Sequence, residues 1–131
     1  MSDIIEITAT PRSTFILVEG VGMWTVDQVM RHFHNLDREV YAMRVRNGRV
    51  RVLADMSRAQ VQTAEVARLM TSETARIYRE HDRVAVIVAT KLVAIQIKRT
   101  SRLYDLQTFE DRSPALAWLA SEAPSAFSPG A

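Results

Sequence analysis

Three histidines, one Gly-x-Gly segment and one aspartate after an apolar run are the residues of this chain whose types could do chemistry. His32 and His34 flank Phe33 in a stretch with helical periodicity. Residues two apart on a helix point about 200° away from each other, so this pair cannot share a metal ion. His81 stands alone at the end of a second periodic stretch, where an imidazolium would complement the helix dipole. All three therefore read as surface or helix-end residues. The chain has no cysteine, which removes disulfides, thiolate metal sites and cysteine nucleophiles together. No nucleophile beside a base, no carboxylate pair and no metal-ligand set can be named, so the expectation is a protein that is not an enzyme and needs no metal or cofactor.

Gly20-Val21-Gly22-Met23-Trp24-Thr25 lies between a strand and a helix, as a dinucleotide loop does. Its sixth position is Thr25 and the strand before it belongs to a hairpin, so Gly20 and Gly22 read as turn glycines with positive φ. Asp55 follows Val52-Leu53-Ala54 at the carboxyl end of a strand, where open α/β sheets place ligands. It equally suits the plainer role of accepting amides from the next loop.

Binding surfaces leave a clearer trace than catalysis. Leu92, Val93, Ala94, Ile95 and Ile97 make one short helix apolar almost all round, more than one buried face requires. The surplus around Leu92, Val93, Ile95 and Gln96 calls for a partner subunit or an apolar ligand, unless the helix is tucked wholly into the core. Met23 and Trp24 fit either a lip over a pocket or a hydrophobic staple for the helix that follows.

These residues need a scaffold, and 131 residues supply one core of ordinary domain size. We expect a single α/β domain over 1–122 and a disordered Pro/Ser/Gly/Ala tail over 123–131. The net charge is only +2, although Arg44, Arg46, Arg49 and Arg51 stand close together. That run has no interleaved aromatics, so it reads as a solvated strand edge and turn, and no nucleic-acid partner is expected. No apolar run approaches the ~18 residues of a membrane span and no signal peptide is recognisable, which makes the cytoplasm the default.

Ile4–Ala9 and Phe15–Glu19 are β-branched runs separated by Thr10-Pro11-Arg12-Ser13, the pattern of an antiparallel hairpin. Thr25 and Gln28 form a capping-box signature, and Val26, Val29, Met30, Phe33, Leu36, Val40 and Met43 continue as a helical stripe. Asn47-Gly48 ends that segment and Val50–Ala54 is a strand, with a polar loop after it. A second helix carries Val66, Leu69, Met70, Ile77 and Tyr78 inward and closes at His81-Asp82. Val84–Ala89 is apolar at six consecutive positions, the mark of a central strand covered on both faces. Leu92–Ile97 alternates like a strand, but a parallel neighbour needs a crossover of about a dozen residues, so a helix is preferred there. Tyr104–Phe109 follows as a strand, and Ser113-Pro114 opens a last helix through Leu116, Trp118 and Leu119. The order β-β-α-β-α-β-α-β-α implies a mixed sheet of about five strands with helices packed against it.

Val50 to Asp55, Val84 to Ala89, and Phe109-Glu110-Asp111 followed by Ala115-Leu116-Ala117-Trp118-Leu119 resemble the SpoIIAA-like family of STAS-type domains. The resemblance spans roughly Phe15 to Leu119. It implies a small domain, often dimeric, related in fold to anti-sigma-factor antagonists and to the smaller unit of Sec14-type lipid-binding proteins. In the antagonists a serine opening the helix after the third strand is phosphorylated, which adds charge at a helix N-terminus. The matching stretch, Asp55 to Glu65, has Ala64 where that serine is expected, leaving Thr63, or Ser57 in a shifted register, as candidate phosphosites. Each also suits a helix cap. The leading expectation is a non-catalytic module that binds a protein partner or a small apolar, lipid-like ligand, as a homodimer. A phosphorylation-switched regulator is the alternative.

Overall fold

A computed structural model describes residues 3–8, 13–99 and 104–121. The tail expected over 123–131 lies outside them. Five strands form one sheet in the order β1-β2-β3-β4-β5: Ile4–Thr8, Ile16–Gly22, Arg51–Ala59, Arg83–Val88 and Asp105–Phe109. β1 and β2 are antiparallel, and every later neighbour is parallel. Strands laid down in sequence order by right-handed crossovers put all connecting helices on one face. Accordingly α1 (Val26–Asn47), α2 (Ala64–Ile77) and α3 (Lys91–Lys98) share a core with Val18, Val52, Ala54, Val84 and Val86. α4 (Arg112–Ala120) covers the other face, where Leu53, Ala85 and Ile87 meet Ala115 and Leu119. β4 is buried at all six positions, Val84–Val88 as their apolar run requires and Arg83 beside the buried Asp105, while Ala89 lies beyond the strand and is exposed.

Several local expectations change. Gly20 and Gly22 do not break the strand but belong to β2, and only Gly22 has a positive φ, at 79°. Gly20 is needed for space instead: a Cβ there would sit 2.6 Å from both the Trp24 ring and Met56 Sδ. β3 continues through residues 55–59, of which Arg58 and Ala59 pair with Val21 and Gly22 of β2 beyond a register shift. Met30 is largely exposed, and His32 takes a place in the buried stripe. Gly48, at φ 71°, caps α1 in the left-handed region favoured by glycine.

The arginine cluster is not a solvated strand edge throughout. Arg44 lies in the last turn of α1 and forms two hydrogen bonds, of 2.9 and 3.0 Å, to the buried Asp82 carboxylate. α2 ends at Ile77 rather than at His81-Asp82, and Asp82 also accepts the Arg79 amide at 2.8 Å. α4 begins at Arg112 with Asp111 as N-cap, so Pro114 occupies the third helical position. That position is still within the first turn, whose amides have no helical acceptor.

Candidate functional site

The site grows from the way Trp24 is seated. With Gly20 giving it room, its indole lies buried against the sheet, and Nε1–H donates to the carbonyls of Ile4 at 2.8 Å and Val21 at 3.0 Å. Its backbone N–H donates to Gln62 Oε1 at 2.9 Å. Gln62 is itself buried and donates through Nε2 to the carbonyls of Gly22 and Gln60. Gln96 on α3 completes the arrangement, accepting from the Gln62 amide at 3.0 Å and donating to the Gln62 carbonyl at 3.2 Å. The end of β2, the loop before α2 and the middle of α3 are thereby tied together.

Below this polar frame lies an apolar cavity of about 90 Å³. Its floor is the helix-covered sheet face, with Val18, Ala54 and Val86, and its roof comes from Phe33, Met70 and Val93 on the three helices. α2 packs along α1 at this side of the cavity. Only Val66 and Ile77 of α2 are buried, and Leu69 and Met70 reach partway in. The rings of Tyr78 and Tyr104 meet at the cavity wall, 4.8 Å apart and tilted by 48°. Burial keeps the Tyr78 hydroxyl protonated well above its ordinary range, with Tyr104 and Asp82 adding to the effect.

His32, which the sequence places at the surface with His34, is instead part of the core. It is 6% exposed, lines the cavity, and its Nδ1 has no hydrogen-bond partner. Burial pushes its pKa down to about 4, so the ring is neutral at pH 7. Position 32 could have been found: with Val29, Leu36 and Val40 it follows three-and-four spacing.

The expected surface residues fall into two groups. Trp24, Val93 and Gln96 come together at the cavity, and Met23 beside Trp24 and Val61 beside Gln62 stand partly exposed near them. Leu92, 69% exposed, and Ile95, 49% exposed, carry the apolar surface of α3 outward, while Val93 is core. Asp55 and Ser57 do not join this site. Asp55 accepts from Ser57 N at 3.1 Å, Ser57 Oγ at 2.6 Å and Arg112 Nη2 at 2.8 Å, which makes it an anchor between β3 and α4. Partial burial works to raise its pKa, but the Ser57 and Arg112 hydrogen bonds and the Arg112 charge prevail and hold it below the ordinary value. Thr63 is the N-cap of α2, accepting from Val66 N at 3.2 Å, with the residue exposed. Among the described residues no cluster of His, Asp or Glu is arranged to hold a metal ion.

The architecture matches a solved structure: an uncharacterized protein of the DUF3478 family with a SpoIIAA-like fold from Shewanella loihica PV-4. The two superpose with a TM-score of 0.65 at 20% identity, over 88% of this chain and 91% of the other. The fold is SpoIIAA-like. No protein-family model matches the sequence, and no curated protein matches it. Within this SpoIIAA-like layout the cavity lies on the face carrying three helices, opposite the Asp55 anchor. No helix among the described residues is long and apolar enough to cross a membrane.

Proposed function

We propose that this chain is a non-catalytic binding module that takes a small apolar ligand, or the apolar end of a larger one, between the sheet and α2 and α3. The cavity carries this reading: about 90 Å³ of space walled almost wholly by apolar side chains, in a domain small enough to have closed it. An apolar void forfeits dispersion contacts on every side, and filling it restores them. Cavities of roughly 150 Å³ accept a benzene ring. The smaller space here suits a short alkyl chain or, with a slight outward shift of α2, one ring.

Thermal unfolding in the presence of toluene tests the reading. Saturable binding raises Tm by several degrees at a hundredfold excess over Kd. Ala54→Leu, which fills the cavity from its floor, abolishes that rise while leaving the apo protein folded. An unchanged Tm at millimolar toluene overturns the proposal.

The proposal includes a homodimer. Leu92 and Ile95 give α3 an outward apolar face, with Met23 and Val61 also partly exposed, and self-association would cover such surface. Light scattering at micromolar concentration reads the mass directly, and a monomer removes this part of the proposal without touching the cavity.

A further inference from the structure

The reading of the cavity as an apolar site leaves one of its walls unexplained. His32 brings the only imidazole to a lining otherwise made of apolar groups, amides, hydroxyls and an indole. It does so with an unpartnered Nδ1 in a residue more than nine-tenths buried. An unmet polar atom in such a place costs free energy, and removing it would require only an apolar residue at position 32.

The ring also borders a second space. A polar groove between β1 and α1 is lined by Glu6, Asn35, Arg38 and Glu39 together with His32. Nδ1 is sequestered from solvent, so the imidazole meets the groove through its other edge. A neutral imidazole has one N–H and one lone pair. A proton on Nε2 can be accepted by water or by the groove carboxylates, whereas a proton on the sequestered Nδ1 would be an unmet buried donor. The favoured tautomer thus leaves Nδ1 as a bare, buried acceptor on a residue that lines the cavity. A molecule that satisfies it must donate.

Resting on the reading of the cavity as an apolar ligand site, we propose that its ligand is an apolar alcohol or phenol whose O–H donates to His32 Nδ1. The apolar body fills the void and the hydroxyl fixes the orientation, the division of labour found in small-molecule sites. An ether or hydrocarbon of the same size fills the space but leaves the nitrogen unmet. A carboxylate is disfavoured, since it brings a buried charge and only acceptor atoms.

Phenol, anisole and toluene, titrated by calorimetry into the full chain, separate the possibilities. The expected result is that phenol binds about tenfold or more tightly than anisole, the difference made by one hydrogen bond to a buried acceptor. The Nδ1 resonance of ¹⁵N-labelled His32 moves upfield on saturation with phenol and stays in place with toluene. In His32→Leu the three compounds bind alike. If toluene and anisole match phenol and the Nδ1 resonance is unmoved, the hydroxyl preference is overturned and the apolar site stands. If none of the three binds, both readings fall. Should His32→Leu not fold, the wild-type affinity order and the imidazole resonance decide the matter.

Discussion

Gln96 pairs with Gln62 as a neighbouring strand would: its side-chain amide accepts from the Gln62 N–H at 3.0 Å and donates to the Gln62 carbonyl at 3.2 Å. The loop between β3 and α2 has no strand beside it at that point, and the α3 side chain satisfies both backbone groups. The pair therefore joins α3 to the frame that holds Trp24. α3 is only eight residues long, with Val93 its one buried side chain and Ala94 and Ile97 packed partway into the core.

Gln96→Ala consequently acts first on α3. The variant loses about 1–3 kcal/mol of stability, because two backbone groups are left unmet. Hydrogen exchange over residues 91–98 accelerates more than exchange in β3 or β4. Uniform acceleration across the sheet would show that α3 does not depend on this pair.

Gly20→Ala places a methyl group against Met56 Sδ and the Trp24 ring. The methionine can turn aside, but the indole is fixed by hydrogen bonds to the Ile4 and Val21 carbonyls. Overpacking of this kind costs about 1–3 kcal/mol. In a double-mutant cycle with Trp24→Leu, measured by urea unfolding, the Gly20→Ala penalty shrinks by more than half. An unchanged penalty would place the clash elsewhere.

Asp82 gathers three segments: it accepts two hydrogen bonds from Arg44 of α1 and one from the Arg79 amide, and Arg44 reaches on to the Ile77 carbonyl at the end of α2. Asp82→Ala leaves that guanidinium without its counter-charge beside the core and costs about 3–5 kcal/mol. Arg44→Lys keeps the charge but loses the two-pronged geometry, and recovers only part of that stability. Equal unfolding midpoints for wild type and Asp82→Ala would rule out the pair as a clamp.

Much of this architecture was legible from periodicity alone. The apolar run Val84–Val88 of β4, the capping box of Thr25 and Gln28, and the surplus apolar face of α3 each follow from a local rule. What escaped was set by tertiary contacts. The role of Gly20 depends on an indole four residues later folding back over the strand, and Gln62 and Gln96 are polar residues 34 positions apart with no sequence signal of pairing. Arg44 looked like part of a basic run because its acid lies 38 residues away. Polar residues in the core are specified by their partners, and those are invisible until the chain is folded.

His32 makes stability depend on pH in a direction that can be worked out in advance. Its pKa is about 4 in the folded chain, against 6.5 for an ordinary histidine, so between these values the unfolded chain binds more protons. Stability from this group is complete above about pH 6.5 and is lost as pH falls toward 4, by roughly 3 kcal/mol over the whole interval. The titratable groups around the ring are Glu6 on β1 and Arg38 and Glu39 on α1 across the groove, with Tyr78 and Tyr104 elsewhere around the cavity. Burial holds the Tyr78 hydroxyl protonated throughout this window. His32→Leu removes the buried imidazole and flattens the urea midpoint between pH 6.5 and 5. A wild-type midpoint constant from pH 6.5 to 5 would mean that His32 is reached by solvent and protonates freely, removing the buried acceptor on which recognition of a hydroxyl depends.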